Sequence, residues 1–134
     1  MERTEIRIAV VPPRRGFTLI ELLVVLAIVA LLLTLAVPRY FQSIDAAKET
    51  ILLENLRITR ETIDKFYGDT GRYPESLEEL VEKKYLREIP LDPVTDSATT
   101  WIIVPPDDAG KGNIYSIKSG ASGTTKEGKP FSEL

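Results

Sequence analysis

Neither cysteine nor histidine occurs among the 134 residues. Without a thiol or an imidazole, Ser-His-Asp and Cys-His nucleophilic sites, zinc sites of the histidine or cysteine kind, disulfides and redox thiols are excluded for this chain alone. Carboxylates, hydroxyls, amines and backbone oxygens are left for chemistry. Lack of cysteine does not fix the redox compartment, since many secreted proteins have no disulfide. A basic excess is also missing: 17 Lys+Arg face 20 Asp+Glu, for a net charge of −3, so nucleic acid is not an expected partner. Gly110-Lys111-Gly112 is not a phosphate loop, because the longer glycine-rich pattern ending in Gly-Lys-Ser/Thr is absent, and it reads as a turn. Trp101 is the single tryptophan; with the tyrosines it reads as strand packing rather than a ligand-stacking surface. No catalytic constellation stands out. The length suits one compact domain with an appended segment and excludes a large two-domain enzyme.

What is there is unevenly spread. Much of the 43% hydrophobic content sits in Phe17 to Val37, 21 residues with one ionisable side chain, Glu21. As a helix at about 1.5 Å per residue this run spans about 30 Å, the thickness of a hydrocarbon core, so it is expected to enter a membrane. Ahead of it, Arg3, Arg7, Arg14 and Arg15 outnumber Glu2 and Glu5, and by the positive-inside rule this end stays cytoplasmic while the rest crosses. Three readings compete. A secretory signal peptide cut near Thr34-Leu35-Ala36 would need a shorter apolar region, of about 7 to 15 residues, and Pro38 lies just past the cut. A plain transmembrane anchor leaves Glu21 unexplained, at a cost of roughly 2.5 to 3.5 kcal/mol for an acid at a helix centre and less near its end. The third reading makes the acid the informative residue.

Arg14-Arg15-Gly16-Phe17-Thr18-Leu19-Ile20-Glu21 resembles the processing motif of class III signal peptides, those of type IV prepilins and type II secretion pseudopilins. The resemblance implies that a prepilin peptidase cuts between Gly16 and Phe17 on the cytoplasmic side, that Phe17 becomes N-methylated, and that the apolar segment stays in the mature protein. A glycine before the scissile bond lets the backbone lie extended in a protease cleft, and Phe17 is expected to open the helix. The new α-ammonium of Phe17 and the Glu21 carboxylate, one turn along, each need a partner in lipid. The family pairs this glutamate with the amino terminus of a neighbouring subunit during assembly; an intramolecular pair has the same spacing. Pro38, 22 residues into the mature chain, is expected to kink or locally melt the helix at the lipid boundary, where Arg39 and Tyr40 follow.

Residues 39–67 contain no proline or glycine, and Phe41, Ile44, Ala47, Ile51, Leu52, Leu56, Ile63 and Phe66 keep helical spacing, which predicts an amphipathic helix. Its charges form a solvated face in which Glu61 and Lys65 have a favourable acid-first spacing. Phe17 to Tyr67 together would make one bent helix of about 75 Å. Gly68, Gly71 and Pro74 should stop it, and Ser76-Leu77-Glu78-Glu79 looks like a capping box opening a short helix over 76–84 with Leu77, Leu80 and Val81 buried. Strands at Thr100–Val104 and Asn113–Ile117 predict a β-hairpin over 100–117, followed by a glycine-rich loop or short last strand over 118–134. The expected fold is therefore α+β and type IV pilin-like: a leader of 1–16, a transmembrane and assembly helix over 17–37, and a head over 38–134 with a small antiparallel sheet across the helix.

Gly71-Arg72-Tyr73-Pro74, then Pro90-Leu91-Asp92-Pro93, then Ile114-Tyr115-Ser116-Ile117 before a glycine-rich tail look like the major pseudopilins of type II secretion. Membership would imply a non-enzymatic subunit of a helical homo-oligomeric filament, anchored once in the inner membrane with its head in the periplasm. The filament would work with minor pseudopilins, an inner-membrane platform with its ATPase, and an outer-membrane secretin through which folded proteins pass. A type IV pilus pilin, for adhesion, motility or DNA uptake, is the alternative, though such pilins often close their C-terminal region with a cysteine pair; a membrane-anchored periplasmic binding module or enzyme is more distant. Pseudopilins of this kind commonly hold calcium in the last loop, but Ser119-Gly120-Ala121-Ser122-Gly123 carries alanine where an acid is expected. Asp92, Asp107 and Asp108 read first as turn residues, so calcium is left as an open expectation with no ligands assigned.

Overall fold

The computed structural model describes residues 2–5, 7, 9 and 16–134. The Arg14-Arg15 pair and much of the expected leader lie outside the described residues. The chain falls into two units, Met1–Arg39 and Tyr40–Leu134. Its elements are α1 (Leu19–Thr70), α2 (Leu77–Glu82), β1 (Ile102–Val104), a 3-10 turn (Ala109–Lys111), β2 (Ser116–Lys118) and a second 3-10 turn (Phe131–Glu133).

In the first unit, α1 starts at Leu19 rather than Phe17, and its large apolar side chains up to Val37 are all at least 44% exposed. A helix that is apolar all round and covered by none of the described residues needs lipid or other protein around it. Among the described residues α1 is the one helix long and apolar enough to cross a membrane. The helical assignment continues through Pro38, so the local melting expected there does not occur.

The second unit is built on the later part of α1, where Leu52, Leu56, Thr59, Ile63 and Phe66 are buried. These positions alternate steps of four and three residues, which keeps them on one stripe. The stripe starts later than its spacing suggested: Phe41 and Ile51 are exposed, although the head reaches back to Glu49, whose carboxylate accepts the Lys126 N–H at 2.8 Å. Thr59 was not foreseen in it, and its hydroxyl is satisfied by donating to the Asn55 carbonyl at 2.7 Å. Glu61 pairs with Arg57 at 2.8 Å, and Arg57 also pairs with Glu54, so Lys65 is not the partner that spacing proposed. Gly68 lies inside α1; the stop is Gly71, at φ +76°, whose N–H donates to the Tyr67 carbonyl at 2.8 Å. This is the left-handed residue that commonly closes a helix.

α2 covers 77–82 instead of 76–84, capped by Ser76 and ended by Lys84 at φ +65°. Leu77 and Leu80 are buried and Val81 is half-buried. The hairpin pairs Ile102 with Lys118, Ile103 with Ile117 and Val104 with Ser116, so β2 begins three residues later than expected. Asn113 and Ile114 are lost to the ladder because both their N–H groups donate to the Pro74 carbonyl. Trp101 likewise leaves β1: it is buried, and its indole N–H donates to the Pro90 carbonyl at 2.8 Å. The core joins the α1 stripe to Leu77, Leu80, Trp101, Ile114, Ile117 and Phe131. The tail over 118–134 is a loop with a Thr124–Pro130 bridge and the second 3-10 turn.

Candidate cleavage and assembly site

Gly16 has open space around its α-carbon and Phe17 is 88% exposed, both ahead of the first helical residue. Among the described residues, none shields the Gly16–Phe17 bond from a protease. The helix itself is opened by Thr18, whose carbonyl accepts the Leu22 N–H at 3.1 Å. Its hydroxyl accepts the Glu21 N–H at 3.2 Å, and the Glu21 carboxylate accepts the Thr18 N–H at 3.2 Å. Two otherwise unpartnered donors at the helix start are thus satisfied reciprocally, the arrangement of a complete capping box. The negative charge also sits where the helix dipole is positive. In this chain Glu21 therefore bonds to the Thr18 backbone, a partner that sequence reasoning did not weigh. The signal was available as Thr-x-x-Glu, the same pattern that was read at Ser76.

At Ser76 only half of that pattern closes. The Ser76 hydroxyl accepts the Glu79 N–H at 3.2 Å, but the Glu79 carboxylate turns to the Arg72 guanidinium at 2.7 Å and to the Glu75 N–H. The hydrogen bond from Arg72 holds the Glu79 carboxyl below its ordinary value. This ties the turn after α1 to α2 within the Arg-Tyr-Pro element.

Two of the three aspartates considered for calcium, Asp92 and Asp108, are occupied otherwise. Asp92 is fully buried; one carboxylate oxygen accepts the Val94 and Thr95 N–H groups, the other accepts the Ser119 hydroxyl at 2.6 Å. Asp108 caps the first 3-10 turn by accepting the Gly110 N–H. Calcium takes about six to eight oxygen ligands, whereas no group of three or more acidic side chains converges among the described residues. Both Asp92 oxygens face hydrogen-bond donors, which a cation would have to displace. The residues of the tail do not fit a calcium site.

An exposed apolar helix preceded by a glycine–phenylalanine bond, with one acid in its first turn and a small α+β head in the same chain, defines a type IV pilin-like protein. Residues 12–37 match the family model of the prokaryotic N-terminal methylation motif. The type II secretion system core protein G of Pseudomonas aeruginosa is 32% identical over 129 residues, covering 84% of this chain and 86% of that protein. The protein of the same name from Klebsiella michiganensis is 28% identical over 128 residues, 83% of this chain and 88% of its own length. The type IV major pilin protein PilA of Myxococcus xanthus is 32% identical over 69 residues, 52% of this chain and 31% of that pilin. No solved structure matches the chain. The chain belongs to the type II secretion system core protein G family, the major pseudopilins.

Proposed function

We propose that this chain is a structural subunit of a type II secretion pseudopilus, made as an inner-membrane precursor and cut by a prepilin peptidase between Gly16 and Phe17. Phe17 is then N-methylated, α1 stays in the membrane as a single pass, and the head lies in the periplasm. The protein has no catalysis of its own. Subunits join a filament with minor pseudopilins, assembled by an inner-membrane platform and its ATPase, and the filament drives folded proteins through an outer-membrane secretin. The leader holds four arginines and two glutamates, so the mature chain keeps 13 basic and 18 acidic residues, a net −5. The observation that carries this reading is Glu21, the lone acid in an exposed apolar run directly behind the Gly16–Phe17 bond. Before assembly the Thr18 N–H partly satisfies it; in the filament the ammonium of a neighbouring Phe17 completes its neutralisation.

Mass spectrometry of the native protein tests the processing: its first residue should be a methylated Phe17, and a chain that keeps Met1 or starts past Pro38 overturns the reading. Glu21→Ala should insert at least as well as the parent, because a charge is removed from lipid, while filament yield collapses. The type IV pilin alternative has support from the match to PilA, which extends over about half of this chain. Deletion separates the two, since loss of secretion marks a pseudopilin and loss of long surface fibres marks a pilin.

A further inference from the structure

Three tyrosines meet on one side of the head. Gly71 reverses the chain after α1, and Tyr73 folds back onto Tyr67 with ring centres 4.4 Å apart and planes 26° from parallel. Tyr115, reached through the hairpin, stands edge-on to Tyr73 at 5.4 Å. Stacked and edge-to-face pairs of this kind fix the orientation of each ring. Yet Tyr115 lies just outside β2 and is 51% exposed, so it is not a packed strand residue, and Tyr67 and Tyr73 are half-buried.

The rings line an open cleft of about 380 Å³, and its remaining lining comes from the loop after β1, including Pro106, Asp107, Asp108 and Lys111. The loop is held to the rings. The Tyr73 N–H donates to the Lys111 carbonyl at 2.6 Å, and Gly112, at φ +104°, packs where a Cβ would stand 2.1 Å from the Tyr73 carbonyl oxygen. The Lys111 ammonium donates to the Tyr67 hydroxyl at 3.3 Å and stands 5.8 Å from that ring's centre. Asp108 gives one oxygen to the Gly110 N–H. A cleft formed in advance loses little freedom when a ligand enters.

The chemistry of the lining selects among ligands. Asp107 and Asp108 oppose an anion, and Lys111 already takes the cation position over Tyr67. A proline-rich peptide brings carbonyls but no proline N–H, which leaves the carboxylates unmatched. A pyranose ring brings both halves. Its C–H face suits the electron-rich face of a tyrosine, and its hydroxyls donate to a carboxylate and accept from an ammonium.

We propose that the cleft between Tyr67, Tyr73, Tyr115 and the loop after β1 is a binding site for a neutral saccharide chain, with a sugar ring stacked on Tyr115 and its hydroxyls held by Asp107 and Lys111. The site goes beyond the filament reading above and does not depend on it, since every residue involved belongs to one head.

The experiment uses the full chain with labelled tyrosines in a polyoxyethylene detergent, which carries no sugar. The probes are cellotetraose and chitotetraose, short neutral chains of glucose and of N-acetylglucosamine. An open cleft implies a dissociation constant of about 1 mM. Nuclear magnetic resonance should show the Tyr73 and Tyr115 signals moving with at least one probe, while Tyr40 and Tyr85, which do not line the cleft, stay still. Tyr115→Ala should weaken binding about tenfold and Asp107→Asn about threefold. Asp107 is exposed, so its variant should keep the parental melting temperature, and it decides the matter should Tyr115→Ala unfold the head. Tyrosine signals that do not move with either probe at about 10 mM overturn the proposal. So does parental affinity in Asp107→Asn and Tyr115→Ala alike, or a response to an oligoproline peptide and to neither saccharide.

Discussion

At Asp92 a turn signal and a core position coincide. Proline on both sides marks a turn, and the side chain does brace one through the Val94 and Thr95 N–H groups. Its second oxygen meets Ser119, 27 residues away in the chain, a partner no local pattern announces. Ser119→Ala should therefore cost about 1 to 3 kcal/mol in urea unfolding, since it strips a buried acceptor of its donor, and Ser119→Thr should restore part of this. Gly120, next along, packs where a Cβ would stand 2.0 Å from the Thr100 carbonyl oxygen. Gly120→Ala must displace that backbone, and a loss of about 3 kcal/mol or more is expected by the same measurement. Thr18 and Glu21 teach the converse, for their contact is wholly local and was legible in the four letters of the capping pattern.

Among elements, α1 and α2 were readable because helical spacing and caps are short-range features, and their ends were displaced by single residues with definite roles. Gly71, not Gly68, takes the left-handed conformation, and Gly71→Ala should cost about 1 kcal/mol through backbone strain alone, as nothing crowds its α-carbon. The strands were harder to place. Their short apolar runs announced a hairpin, but its register depended on the Pro74 and Pro90 carbonyls taking donors from Asn113, Ile114 and Trp101, which lie far from them in sequence. Acidity should act through the Arg72–Glu79 link. Glu79 titrates below its unfolded value, so its contribution is complete above the ordinary carboxylate range and is lost as pH falls through the lowered folded value. At the alkaline end Tyr85, whose hydroxyl donates to Asp69 at 2.8 Å, is raised above 10.0 chiefly by that hydrogen bond. Its contribution holds below the unfolded tyrosine value and fades as pH climbs through the raised one. Melting temperature against pH should show both shoulders, and Glu79→Gln should flatten the acid one.

For the whole molecule, the class was legible in residues 14–21 and the apolar run behind them, whereas how the tail is fastened was not. A tail clasped by Asp92 and Ser119 predicts that calcium and chelator give the same melting temperature for the full chain in detergent. An ion at 100 times its dissociation constant would add about 2.7 kcal/mol and move the transition by several degrees, and such a shift would sink the clasp. Phe131 belongs to the same core as Leu52. The head is therefore closed by a side chain 79 positions along the chain from Leu52. A chain that stops short of Phe131 lacks one wall of this core, so packing begun at Leu52 is completed only when that distant segment arrives.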